Sequence, residues 1–503
     1  MSAAIDTPVR AGAPARRRAP AWWPLAAVLV LAAALRLSTL GLQSFWYDEA
    51  FTPVHVLHAG LGATLRSVVH TENSPPLWYL LAWVDVRLFG DGEIALRLPS
   101  ALAGVATVWV AWAIGDELAG RRCALASALL VAVNPLFVWY SQEARVYALF
   151  ALTCAIAMLC CLRAGREPTP RRMAAFALSG ALALLTHYFS AFLLVGMAAW
   201  LLRDPRTRRA ALPALVALAA VGLALLPLII AQGGPGTQWI GRWALSSRLQ
   251  AIPQYYLTGY SGSPLGHGIE LLVALPLLAA AALGASHLRG SAQAAPALAA
   301  ALIAGAGILL PLALAVLGAD YLAPRNLLGA MVALTALLAV LVTMPAAGRA
   351  APALAALSAA GFLALSLDVN LSPRLQRGNW RGVARALRVG AAARAITTVE
   401  LGGAPLQYYL PHLHNLPRGS SVLISEIDQT GYAPLRESAG RAPAPGFSLS
   451  ARLNVDGLIV YRFVAARPRP VSEATLRRHV ITLAHPEVLV PLGASVTTAP
   501  AAG

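Results

Sequence analysis

Lysine is absent: all 39 basic residues of this 503-residue chain are arginine, set against 22 acidic ones. Charge of any kind is scarce, at 12% of residues, while 58% are hydrophobic. A soluble domain carries about 25% charged residues. The composition therefore excludes an ordinary soluble protein and reads as a polytopic membrane protein. The net charge of +17 does not imply a nucleic-acid partner, because the arginines gather in short connectors between apolar runs, as they do in cytoplasmic loops. Cysteine is nearly lacking too. Cys123, Cys154, Cys160 and Cys161 all lie within apolar runs, which argues against exported disulfides and metal clusters. There is no GxGxxG, no P-loop, no metal-spaced Cys/His cluster and no internal repeat of fixed period.

What is present is a succession of apolar runs. A span needs about 20 apolar residues, and basic loops mark the inner side. Residues 1–23, rich in Ala, Pro and Arg and containing Arg16–Arg18, read as a disordered cytoplasmic tail, and the run from Pro24 to Leu40 lacks the cleavage signature of a signal peptide. Residues 24–369 read as a transmembrane domain of about 11 helices. The apolar stretch Pro76–Gly90 is too short to cross, contains Asp85 and Arg87, and reads as an interfacial helix in an external loop over residues 42–96. A second external loop, residues 232–267, is rich in Gly, Pro, Trp and Tyr, including Tyr260. Counted this way, Arg121–Arg122, Arg163–Arg172 and Arg203–Arg209 all fall inside. From residue 370 the composition changes to an amphipathic opening followed by β-like runs, Ile396–Leu401, Ser421–Ile427 and Gly457–Ala465. Residues 370–503 are expected to form a small external α/β or α+β domain.

Sorted by side, the polar residues collect outside: Asp48 and Glu49 after Trp46-Tyr47, His70 and Glu72, Glu143 and Arg145 just beyond Tyr140, His187, and Arg325. Each has a bland reading. Asp48 and Glu49 suit a solvated interfacial loop, Glu143 a helix-terminal charge, His187 a structural turn, and Arg325 a snorkelling anchor. Their shared side suits one chemistry. A carboxylate can take a proton from an acceptor hydroxyl, and arginine can carry a phosphate leaving group. A lipid-linked phosphate sugar would need no nucleotide fold. Asp48 and Glu49 could alternatively ligate a divalent cation; no other cofactor is indicated.

The ordered motifs WYDEA, HTENSPPLWYLL, RLPSALAG, NPLFVWYSQEARVYAL, THYF, PRNLLGAMVAL and NWRGVARAL resemble bacterial members of the GT-C glycosyltransferase superfamily related to family 39, the protein mannosyltransferase and lipid A aminoarabinose transferase relatives. The similarity is strong over residues 40–200 and weak beyond 380. The resemblance implies an inverting, multi-pass enzyme of the plasma (inner) membrane. Its donor would be a polyprenyl-phosphate-linked sugar, its acceptor a glycan, lipid or protein, and membrane lipid its surroundings. The active site and C-terminal domain would be extracytoplasmic and the N-terminus cytoplasmic. Asp48 matches the family's catalytic base and Glu49 its paired acid. His70, Glu72 and Pro75-Pro76 match the first-loop element, Glu143 and Arg145 the Gln-Glu-Ala-Arg turn, and Arg325 an Arg-Tyr-Leu element. Ser74 departs from a common His and Asn326 from the usual Tyr. Tyr140 and His187 complete the expected substrate-binding set. The competing functions are a transporter or flippase for lipid-linked sugars, which needs ionisable groups near mid-membrane, and a non-catalytic binding protein.

Overall fold

The computed structural model describes residues 22–233, 238–259, 267–388, 390, 393–482 and 486–498; the expectations for Arg16–Arg18 and Tyr260 lie outside them. Helix starts follow from local chemistry. Asn134-Pro135, Thr169-Pro170 and Asp204-Pro205 each place an N-capping side chain before a proline, accepting from Leu136 N (3.0 Å), Arg172 N (3.4 Å) and Arg206 N (2.8 Å). Proline is preorganised for the first helical position and has no N–H to orphan.

Among the described residues, seven helices are long and apolar enough to cross a membrane: Glu93–Ala119, Tyr147–Arg166, Pro205–Gln232, Gly268–Ser286, Ala294–Val316, Pro324–Val342 and Ala350–Leu371. An eighth is reached if Arg121–Val133 and Pro135–Ser141, bent by 59° at Asn134, count as one. The chain is a multi-pass membrane protein, but the expectation of about 11 spans is not met. Where the first, fifth and sixth spans were expected, the helices are Trp23–Leu37, Pro170–Thr186 and Ser190–Arg203, of 15, 17 and 14 residues. At 1.5 Å per residue these reach only about 21–26 Å, short of a hydrocarbon core of about 30 Å. Apolar runs continue through turns that end the helices, at Ser38-Thr39 and at His187, so run length overstates helix length.

The innermost spans are Tyr147–Arg166 and Pro324–Val342. Pro205–Gln232 instead leaves Leu212, Val216, Leu223 and Ile230 exposed, as a lipid-facing helix would. At Gly284 a Cβ would stand 1.9 Å from the Leu341 carbonyl oxygen, so glycine permits that helix contact. Between Trp23–Leu37 and Glu93–Ala119 lie three short α-helices, Tyr47–Phe51, Leu61–Thr71 and Leu77–Phe89, with a π-helical turn, Thr52–Val56, after the first.

The C-terminal part is one open seven-stranded sheet. Its strands are β1 (Arg394–Val399), β2 (Leu413–Asn415), β3 (Ser420–Tyr432), β4 (Ser448–Val455), β5 (Leu458–Ser472), β6 (Pro486–Pro491) and β7 (Val496–Thr498). The order is β2-β6-β1-β3-β5-β4, with β7 on the early part of β3. Among the described residues only β1 and β3 pair in parallel. Helices Trp380–Leu387 and Gly403–Tyr409 pack through Trp380, Val383, Leu387 and Leu406 against Ile396, Val460 and Leu489 of the sheet.

A buried ionic group lies in this sheet. Arg462 Nε donates to Asp428 Oδ1 at 2.8 Å and lies 3.4 Å from Glu426, while Arg394 sits 3.9 Å from both carboxylates. Burial, reinforced by Glu426 and opposed by Arg462, pushes Asp428 up to about 7. The folded state therefore holds this proton more tightly than the unfolded chain. Stability contributed by protonated Asp428 is present below pH 4 and is lost as pH rises towards 7. In detergent, the full chain should melt a few degrees lower at pH 7.5 than at pH 5, and Asp428→Asn should flatten that slope; an unchanged slope in the variant would refute the assignment.

Candidate active site

Tyr47–Phe51 is a five-residue helix, so its consecutive carboxylates leave in different directions, about 100° apart around the axis. Asp48 Oδ2 accepts from Arg325 Nη1 at 2.7 Å. Glu49 is fully buried and turned the other way. Arg97 Nε and Nη2 bind its two oxygens at 2.7 and 2.6 Å, and Ala144 N donates to Oε1 at 2.9 Å. Burial opposes the Glu49 charge, but Arg97 and then Arg377 outweigh it and hold its pKa below the usual carboxylate range. Arg97 also donates to the carbonyls of Leu40, Gln43 and Ser44 at 2.8, 2.8 and 3.0 Å. This pair ties the first loop to the start of the Glu93–Ala119 helix.

Opposite Asp48, Glu72 and Arg145 form a fork, with Nη1–Oε1 at 3.2 Å and Nη2–Oε2 at 3.0 Å. Tyr79 Oη donates to Glu72 Oε2 at 2.6 Å. His187 Nδ1 accepts from Phe189 N at 3.2 Å and the ring stacks on Phe150 at 4.5 Å, leaving Nε2 to carry the proton. Burial first, and the Arg325 charge second, push His187 down to about 3, so the imidazole is neutral rather than a cation.

Asp48, Glu72, Arg145, His187 and Arg325 line one cavity of about 370 Å³. Its other wall is apolar: Phe189, Phe192, Ile229, Pro311, Leu314 and Leu322. Charged groups at one end and lipid-like surface at the other fit an amphiphile whose polar group is an anion. Ser74 and Asn326 also line it. Glu143, Tyr140 and Glu49 lie behind the wall, and His70 is exposed on Leu61–Thr71 and does not line the cavity. Burial raises Glu143 to about 7, although Arg377 donates to its Oε2 at 3.0 Å.

Three contributors are absent from the sequence reading of the site. Tyr147 lines the cavity beneath Arg325, whose guanidinium carbon is 5.6 Å from the ring centroid. Arg97 and Arg377 brace the loop from behind. An arginine at a span terminus needs a counter-charge, the signal by which Arg97 could have been found. Nothing local pointed to Arg377, which lies more than 230 residues from its partners Glu143 and Gln43. Among the described residues, no group of three or more His, Cys, Asp or Glu could hold a metal ion. Asp48 and Glu49 engage different arginines, an arrangement that does not fit a shared cation.

A family model described as dolichyl-phosphate-mannose-protein mannosyltransferase matches residues 73–230. The structure of ArnT from Cupriavidus metallidurans bound to undecaprenyl phosphate is similar at a TM-score of 0.54 and 14% identity, covering 88% of this chain and 98% of that one. The apo form of that ArnT gives 0.53 and 15% over the same shares. The oligosaccharyltransferase of Archaeoglobus fulgidus is a more distant likeness, at 0.47 and 14%, covering 73% of this chain and 55% of that one. No curated protein sequence matches. The chain shares the fold of the ArnT structures. Within that fold, Asp48, Glu72, Arg145, His187 and Arg325 come from five separate segments and meet at one cavity.

Proposed function

We propose that this GT-C-fold chain is a membrane glycosyltransferase that moves a sugar from a polyprenyl-phosphate donor to an acceptor hydroxyl, with inversion. The observation that carries the reading is the Asp48–Arg325 pair, 2.7 Å apart, on a cavity that is charged at one end and apolar along the other wall. The acceptor oxygen attacks the anomeric carbon as the bond from that carbon to the phosphate oxygen breaks. Asp48 takes the acceptor proton. The lipid phosphate leaves with the bonding electrons, and Arg325 and Arg145 stabilise its charge. A single displacement inverts the anomeric centre. The ArnT structure with undecaprenyl phosphate supports this donor class.

The arginines support one side of the membrane for the site. Glu93 begins its helix near the site, whereas Arg163 and Arg166 approach Glu117 at the helix's other end, at 3.9 and 3.0 Å. Arginine-rich connectors belong to the cytoplasmic face, which supports an extracytoplasmic site and sheet domain with the N-terminus inside. We assign residues 24–369 to the transmembrane unit and 370–503 to the external one.

The test is to incubate purified full-length protein with a panel of polyprenyl-phosphate sugars and an acceptor extract, with and without chelator, and to follow release of polyprenyl phosphate. Release from at least one donor is expected. No release across the panel, from protein that binds polyprenyl phosphate normally, would leave a binding protein in its place.

A further inference from the structure

A second cavity, of about 450 Å³, opens where the sheet domain meets the start of the Glu93–Ala119 helix, lined by Glu93, Arg381, Arg385, Arg388, Tyr408 and Tyr409. The three arginines share one face of Trp380–Leu387 and its C-terminal extension, spaced four and three residues apart. The opposite face, Trp380, Val383 and Leu387, is buried. Packing thus fixes the helix and presents its basic side to the groove.

The charges are not cancelled from within. Arg381 is used by Glu93, at 2.6 Å, and Tyr409 Oη also donates to Glu93. Among the described residues the Arg388 guanidinium makes one long bond, 3.4 Å to the Tyr409 carbonyl. The Arg385 guanidinium has no hydrogen bond or ion pair among the described residues. Tyr408 Oη donates to the Asp91 carbonyl at 2.9 Å, which fixes the aromatic wall. Arg385 and Arg388 are both exposed, two guanidinium forks open to one cavity beside two phenol rings.

We propose that this groove binds a phosphate-bearing head group at the membrane surface, held by Arg385 and Arg388. Guanidinium pairs match phosphate oxygens in charge and geometry. Glu93 begins a membrane-crossing helix, so the groove stands at the level of lipid head groups. Gly403–Tyr409, which supplies its tyrosines, also meets the Asp48 loop, where Phe45 N donates to Tyr409 Oη at 2.8 Å. The groove shares no lining residue with the Asp48 cavity.

The test uses full-length protein in a neutral detergent. Binding of a short-chain phosphatidic acid is measured by calorimetry, with short-chain phosphatidylcholine and inorganic phosphate as separate titrants. Wild type should bind phosphatidic acid saturably, and R385Q/R388Q should weaken that binding about tenfold or more. The control R418Q/R441Q removes the same charge from exposed positions outside the groove and should bind like wild type. Inorganic phosphate competing as well as the lipid would assign the site to free phosphate, and its failure to compete would assign it to the lipid. Equal affinity in wild type and R385Q/R388Q, or equal weakening in the control, would overturn the proposal. Both positions are exposed, so unchanged melting of R385Q/R388Q separates loss of binding from loss of fold.

Discussion

Asp48→Asn should lower sugar transfer by about a hundredfold to ten-thousandfold, the range a positioned general base supplies, while leaving the protein inserted and folded. Asparagine keeps the shape of the side chain and can still accept from Arg325 through its amide oxygen, so the 2.7 Å contact has a neutral substitute. What is lost is the basic oxygen that would receive the acceptor proton. Donor binding should change far less, because Arg145 and Arg325 remain. The measurement is release of polyprenyl phosphate by wild type and variant at matched, monodisperse concentration, together with binding of polyprenyl phosphate alone. Transfer within threefold of wild type would remove Asp48 from the role of base. Joint loss of transfer and of polyprenyl-phosphate binding would instead make it a donor ligand. Activity in the Asp48→Glu variant separates these further: a base displaced by one methylene should retain some transfer, with a raised acceptor KM.

The convergence behind this experiment was legible in the residues, because motifs carrying carboxylates, imidazole and guanidinium were separated by apolar runs whose ends had to alternate sides. Asp48, Glu72, Arg145, His187 and Arg325 share a cavity for that reason. Helix count was not legible. Hydropathy sums straight through the helix ends at Leu37 and Thr186, and it treats Asn134-Pro135 as continuous although the cap bends the chain there. Reading Asp48 and Glu49 as a joint pair neglected helical geometry, in which neighbours in sequence face different partners. His70, although matched to a family element with Glu72, lies before the turn that carries Glu72 inward. Arg377 exposes the limit of local reading. Its guanidinium reaches Glu143 at 3.0 Å, lies 4.0 Å from Glu49 and stacks 4.1 Å from the Trp139 ring, contacts that only the complete fold brings together.

Those buried pairs generate the second large effect. Glu49→Gln should destabilise the protein by about 3–5 kcal/mol, the usual consequence of removing one partner from a buried ion pair. Glutamine can still offer one carbonyl oxygen to Arg97 and lets the Ala144 N–H be satisfied, but it leaves the guanidinium of Arg97, itself buried, without a counter-charge. Arg377, 4.0 Å from the same carboxylate, keeps Glu143. Removing the arginine as well does not repair the loss. Arg97→Met in the Glu49→Gln background abolishes the stranded charge but orphans the carbonyls of Leu40 and Ser44, which accept from Arg97 at 2.8 and 3.0 Å, while the Gln43 carbonyl keeps Arg381 at 3.1 Å; an unsatisfied buried acceptor costs about 1–3 kcal/mol. Thermal unfolding in detergent should therefore show Glu49→Gln and the double variant both well below wild type, with the first loop more open to proteolysis in each. Transfer by Glu49→Gln molecules that remain folded should fall through a raised KM more than through kcat, since Glu49 holds the loop bearing Asp48 and does not line the cavity. A Glu49→Gln protein that melts like wild type yet loses kcat by the factor expected of Asp48→Asn would reverse the assignment and place the reacting proton on Glu49.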